Sequence, residues 1–143
     1  MREILFRGKM LEYPRDWVEG MHTIRKFAGK EYQAIERRER RIITYDYEWA
    51  IQPYEVLSET IGQYIGLTDK NGKKIFEGDI VKTKTGRLCE IYWFVSPNMS
   101  GWDLKPVECN NPPPSEYDLF LPQNLEVVGN IHDNPELKEV SYK

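Results

Sequence analysis

Two histidines, His22 and His132, two cysteines, Cys89 and Cys109, and a scatter of carboxylates are the side chains that could carry chemistry in this 143-residue chain. Acid–base or nucleophilic catalysis needs such groups held against one another. Neither histidine stands near a serine or cysteine motif, and the pair His132-Asp133 is explained by packing or solvent exposure as readily as by a proton relay. The cysteines and histidines share none of the spacings that hold zinc. Asp69 and Asp79 sit where turns want them, Asp69 to bond backbone amides and Asp79 after Gly78. Gly62, Gly66, Gly72, Gly78 and Gly86 form neither a dinucleotide fingerprint nor a P-loop, so turns and bends account for them. No catalytic, cofactor or metal residue follows. The chain reads as a non-enzyme, and an enzyme would need a site assembled from residues distant in sequence.

Binding is the chemistry that remains. Lys73, Lys74, Lys82, Lys84, Arg87 and Tyr92, with Lys70 nearby, are the candidate nucleic-acid contacts, because phosphate attraction and base stacking together hold a single strand. A solvated charged surface is the plainer reading of the same residues. The net charge of −3 opposes general polyanion binding. It conceals a gradient, however: residues 60–94 carry 6 basic and 4 acidic groups, residues 95–143 carry 3 and 8. Any contact would therefore be a local patch. Arg37-Arg38-Glu39-Arg40-Arg41 is a second basic cluster, read as an exposed strand end or turn that guards an edge. Pro112-Pro113-Pro114 contains no P-x-x-P and reads as a rigid loop.

These groups must be positioned by strands. Between Thr60 and Trp93, three turn signals separate four short runs of strand-forming residues: Ile61–Leu67, Lys73–Phe76, Ile80–Lys84 and Arg87–Phe94. Asp69-Lys70-Asn71-Gly72 closes the first hairpin with glycine where a positive φ is needed. In the last run, Cys89, Ile91 and Trp93 alternate with Glu90 and Tyr92. Strands this short are not stable as a flat sheet in water, so a small closed barrel is the expected solution.

The strings Thr60-Ile61-Gly62-Gln63-Tyr64-Ile65-Gly66-Leu67, Asp69-Lys70-Asn71-Gly72-Lys73, Ile75-Phe76-Glu77-Gly78-Asp79-Ile80-Val81, Val127-Val128-Gly129-Asn130-Ile131 and Asn134-Pro135-Glu136-Leu137 resemble the YopX family of small phage and prophage proteins. The opening Met1-Arg2-Glu3-Ile4-Leu5-Phe6-Arg7 is similar to that family's start, whereas residues 8–55 and 95–124 carry no such similarity. The resemblance implies an SH3-like barrel within a two-part protein, a phage or prophage setting, and no catalytic residue.

The fold class expected is thus mainly β, an SH3-like small barrel over residues 56–143 with a β-rich N-terminal section over residues 1–55. In that section Ile4–Arg7, Trp17–Ile24 and Ile42–Trp49 read as strands, the last ended by Pro53. Glu31–Arg41 suits a helix by propensity and a strand by Tyr32 and Ile35, and is taken as a strand. Residues 55–60 allow one helical turn, Trp102–Val107 resumes as strand, and Leu125–Ile131 closes the barrel. Ile61, Val81, Ile91 and Val127 or Val128 are expected to share one core, with Trp17 and Trp49 buried between the two parts.

No apolar run reaches the ~18 residues of a membrane span, and the N-terminus lacks an apolar signal core, so no membrane partner and a bacterial cytoplasmic location are expected. Two cysteines make no disulfide framework; a buried thiol is the simpler reading. Eighteen aromatic residues exceed what one small barrel would bury, which points to homo-oligomers through Trp17, Trp49 and Trp102, or to a phage or host protein partner, with nucleic acid as the other candidate.

Overall fold

The computed structural model describes residues 4–43, 46–107 and 121–137, with 41–43 and 46–48 described by backbone alone. Antiparallel strands dominate, and helix is confined, among the described residues, to single 3-10 turns at Ser58–Thr60, Pro122–Asn124 and Pro135–Leu137. The chain divides into Met1–Gln63 and Tyr64–Lys143, whereas the sequence suggested a boundary between 55 and 56.

The first unit is a meander of β1 (Phe6–Lys9), β2 (Trp17–Phe27), β3 (Lys30–Ile43) and β4 (Asp46–Glu55), in the order β4-β3-β2-β1. The beginning of β5 (Gly62–Thr68) adds to β1 through Phe6↔Gln63 and Arg7↔Gly62. Ala28 and Gly29, both at positive φ, join the directly paired Phe27 and Lys30, the two-residue turn whose twist suits a hairpin. The ambiguous stretch 31–41 is strand because it is paired throughout, residues 31–36 with β2 and residues 34–41 with β4, and this pairing outweighs the helix propensity of Gln33–Glu39. Val18, Ile35 and Val56 are buried with Phe6, Met10, Tyr54 and Ile61 packed on them, a small core on one face of the sheet.

In the second unit the rest of β5 pairs with β6 (Lys74–Phe76), and a four-stranded sheet runs β10-β7-β8-β9 over β7 (Asp79–Lys82), β8 (Leu88–Val95), β9 (Ser100–Pro106) and β10 (Glu126–Asn130). Ile65 and Ile75 from the hairpin, Val81, Cys89, Ile91 and Leu104 from the sheet, and Leu125 make the core, with Trp102 and Val127 against it. Asp69 ties the parts together. One carboxylate oxygen accepts the Asn71 and Lys73 amides at 2.8 and 2.9 Å, and the other accepts the Val127 amide at 2.9 Å, which fixes the β5–β6 turn to β10. Gly72 has φ +81, as the turn requires.

The expected closed barrel is corrected to two antiparallel sheets. Closure fails at the β6–β7 junction, where the Phe76 amide goes to the Asp79 carboxylate at 2.8 Å and the Gly78 amide to the Ile91 carbonyl at 3.0 Å. With the Phe76 donor used in the turn and the Gly78 donor on β8, β6 and β7 form no ladder, and β10 ends as an edge rather than a closing strand.

Other expectations shift for identifiable reasons. The single strand expected over Ile42–Trp49 is split between β3 and β4, whose ends pair as Ile43↔Asp46. Pro53 does not end β4, because β4 is an edge strand and Pro53 can turn its missing donor outward. Ile61 belongs to the first unit's core, not to that of Val81 and Ile91, and of the two valines Val127 packs inward while Val128 is exposed. Along β8, Glu90 is buried beside Cys89 and Ile91, and Trp93 is partly exposed: the strand is covered on both faces early and opens toward Val95. The proline run, Cys109 and residues 44 and 45 of the strand expected over Ile42–Trp49 lie outside the described residues.

Candidate binding surfaces

The register of the first unit sorts its side chains. Met21, Thr23, Arg25 and Phe27 of β2 pair with Glu36, Ala34, Tyr32 and Lys30 of β3; on the same face Glu36, Arg38 and Arg40 pair with Pro53, Ile51 and Trp49 of β4. This face is opposite the one holding Val18 and Ile35. Met21 is 66% exposed, Phe27 78%, Trp49 56% and Ile51 66%. The Arg38 guanidinium lies 5.5 Å from the Trp49 ring centroid, and Arg25 reaches Glu36. Trp, Met and Arg together on an exposed sheet face are the residue types enriched at protein interfaces. The expected burial of Trp49 is thus corrected: its position on the outward face of an edge strand leaves it in solvent.

The edge itself is legible from two backbone bonds. The Val56 amide donates to the Gln33 carbonyl at 3.1 Å, so even-numbered β4 residues turn their polar backbone toward β3; the Glu55 carbonyl accepts from Leu11 at 3.0 Å on the other side. Ile51 and Trp49, two and three steps up the same alternation from Glu55, therefore point their N–H and C=O groups away from the sheet. Among the described residues, Leu11 and the bridge Met10↔Val56 cover only the lower end of this edge.

A cleft of about 640 Å³ opens at that lower end, lined by Met10, Glu12, Tyr13, Phe27, Lys30, Glu31, Tyr32, Pro53, Tyr54 and Glu55. The Tyr54 hydroxyl donates to the Glu39 carboxylate, which also accepts from Arg37 Nε at 2.6 Å. These two hydrogen bonds hold the Glu39 carboxyl below its usual range, and the bond to Glu39 holds the Tyr54 phenol above its own. The phenol thus stays neutral.

In the second unit Lys82 and Lys84, with Lys70, Thr83, Gly86, Gln123, Asn124 and Glu126, surround a cleft of about 310 Å³. Glu126 is the cross-strand partner of Lys82 and lies 3.8 Å from the Lys70 ammonium, so it offsets part of the positive charge. The remaining candidates point elsewhere. Lys73 is exposed in the β5–β6 turn, Lys74 lies 6.0 Å from the Tyr64 ring, Arg87 is half-buried at the β7–β8 turn, and the Tyr92 ring is met by Lys105 at 4.9 Å.

A family model described as YopX protein matches residues 15–139. The chain belongs to the YopX family. Its fold is similar to that of protein EF1440 from Enterococcus faecalis in a crystal structure, at 23% identity and a TM-score of 0.52, over 97% of this chain and 100% of that one. No curated protein matches the sequence. Within this YopX-family chain, no group of three or more histidine, cysteine, aspartate or glutamate side chains is arranged to hold a metal among the described residues. His22 meets Gln33 at 2.6 Å and the Phe6 ring at 5.6 Å, and the backbone of His132 donates to Asn130 Oδ1 at 3.0 Å. No described helix is long and apolar enough to cross a membrane.

The tryptophans separate. Trp17 is half-buried under the Arg7 guanidinium, 4.6 Å from its ring centroid, and Trp102 packs on the second core, edge-on to Trp93 at 4.9 Å. Only Trp49 of the three stands out on an open surface. Phe27, Tyr32 and Tyr13, none of them among the expected binding residues, line the larger cleft. Their signal was aromatic residues flanking the hairpin turn at Ala28-Gly29, visible only once that turn is paired with Glu12–Tyr13 and Pro53–Glu55.

Proposed function

We propose that this YopX-family chain is a non-enzymatic assembly module in a phage or prophage setting, and that it self-associates through the open half of β4. The observation that carries this reading is the outward backbone of Trp49 and Ile51 beneath two exposed apolar side chains. A two-fold axis at Ala50 sets Trp49 of one copy opposite Ile51 of the other. Both have outward N–H and C=O groups, so each such pair exchanges two hydrogen bonds, and the four side chains form one row. Pro53, opposite Tyr47 in this register, contributes only its carbonyl. Light scattering over a range of concentrations tests the reading. Dimer mass is expected for the native chain and monomer mass for Ile51→Pro, which removes an outward donor while leaving the β3–β4 ladder intact. Monomer mass throughout for the native chain would reject it.

A second reading, nucleic-acid binding, is favoured by one observation: Lys70, Lys82 and Lys84 border one cleft. Oligonucleotide binding that weakens steeply with salt and is lost in Lys82→Ala/Lys84→Ala would support it. Binding indifferent to both would remove it.

A further inference from the structure

The larger cleft of the first unit has a composition that neither reading uses. Its floor is half-buried and aromatic or apolar: Met10, Tyr32, Pro53 and Tyr54. Among the described residues its rim carries exposed Tyr13 and Phe27 and three carboxylates, Glu12, Glu31 and Glu55, against one ammonium, Lys30. Glu31 meets Lys26 loosely, at 3.6 Å, and both partners are largely in solvent. The volume, about 640 Å³, falls within the 300–1,000 Å³ typical of ligand sites.

We infer that this cleft binds an arginine or lysine side chain carried on a short apolar peptide segment of a partner protein. The electron-rich faces of tyrosine and phenylalanine attract a cation that has shed part of its water, and the rim carboxylates hold the charge from outside. The fold already uses this interaction beside the cleft, where the Arg37 guanidinium lies 5.1 Å from the Tyr54 ring centroid. An anionic ligand meets the opposite situation: three carboxylates at the rim, and one lysine. The apolar floor adds what a small hydrated cation would not use, which is contact with the aliphatic stem and its neighbouring residues. Proline beside the cation suits the floor, since an extended proline segment is pre-ordered and stacks on tyrosine.

Fluorescence anisotropy with a labelled peptide of arginine, proline and leucine, run beside the same peptide with glutamate for arginine, tests the inference on the full chain. Saturable binding of the arginine peptide alone is expected, weakened about fivefold or more by Glu12→Gln/Glu55→Gln, a change in charge without a change in shape. Tyr13→Ala provides the aromatic arm; Tyr13 is 93% exposed, so its loss leaves folding intact, and a further weakening of affinity is expected. Equal binding of the two peptides, no binding of either, or affinity unmoved in both variants would overturn the inference.

Discussion

The two units divide their apolar residues differently. The second encloses Ile65, Ile75, Val81, Cys89, Ile91, Leu104 and Leu125 in one cluster and anchors its turns with buried aspartates, Asp69 and Asp79. The first buries Val18, Ile35 and Val56, yet leaves Met21, Ile24, Phe27, Trp49 and Ile51 in solvent on its long hairpins. Strand length explains much of this contrast. A β7 of four residues is buried along its first three, whereas β2 and β3, at 11 and 14 residues, extend past their core. The larger buried cluster lies in the second unit, whereas exposed apolar side chains occur in both, Trp93, Val95 and Met99 among those of the second. A substitution in the second should therefore show in unfolding, and one on the first's outer face should show in association.

The hardest test of that division is Ile91→Ala. Ile91 is fully buried in the second core, and its truncation is expected to cost about 2–5 kcal/mol in urea unfolding. A cost below about 1 kcal/mol would mean that this core is not what holds the unit together.

Next in size is Asp69→Ala. It removes the acceptor for three amides and cuts the link between the β5–β6 turn and β10, for an expected loss of about 1.5–3 kcal/mol. The same carboxylate gives a pH signature. Burial pushes its pKa up, but the amides of Val127, Lys73 and Asn71 and the charge of Lys73 outweigh burial and hold it below the ordinary value. A depressed folded pKa means stabilisation that is present above the unfolded carboxyl value, about 4, and is lost as pH falls through the folded one. Acid unfolding of the native chain should accordingly show a component that Asp69→Ala lacks; identical pH profiles would remove Asp69 from this role.

A smaller loss, about 1 kcal/mol, is expected for Gly72→Ala. Nothing lies within 4 Å of the added methyl, so the cost is that of holding a non-glycine residue at φ +81. Calorimetry separates this from a packing defect: Gly72→Asn, which tolerates the left-handed region better, should recover part of the loss.

What could be read beforehand follows the same division. The turn at Asp69-Lys70-Asn71-Gly72, the strands around it and the shared burial of Val81 and Ile91 were legible because turn chemistry and alternation are local signals. Barrel closure was not, since it depends on where the Phe76 and Gly78 amides go, and Asp79 captures the first of them from three residues away. The Lys82–Lys84 pairing with Lys70 was within reach of the hairpin argument; the contribution of Gln123, Asn124 and Glu126 was not, because β10 joins β7 from 44 residues further on in the chain by the register Glu126↔Lys82. Trp49 was expected in an interface on composition and was also expected to be buried between the two parts; its exposure and outward backbone emerge only from the β3–β4 register.

The smallest stability effect and the clearest functional one are expected together at Trp49. Its ring is over half exposed, its neighbour Arg38 stacks on it from the next strand, and no core residue packs beneath it. Threonine is β-branched and suits an edge strand, so unfolding should move by no more than about 0.5 kcal/mol. The row of apolar side chains across the proposed two-fold axis would nevertheless lose both tryptophans at once, since an isologous contact counts every change twice. Sedimentation of Trp49→Thr should show a dimer weakened by at least tenfold, beside unfolding curves that superimpose on those of the native chain. A large loss of stability would place Trp49 in the first unit's own fold, and the contrast between a self-contained second unit and an outward-facing first would then fail at its central residue.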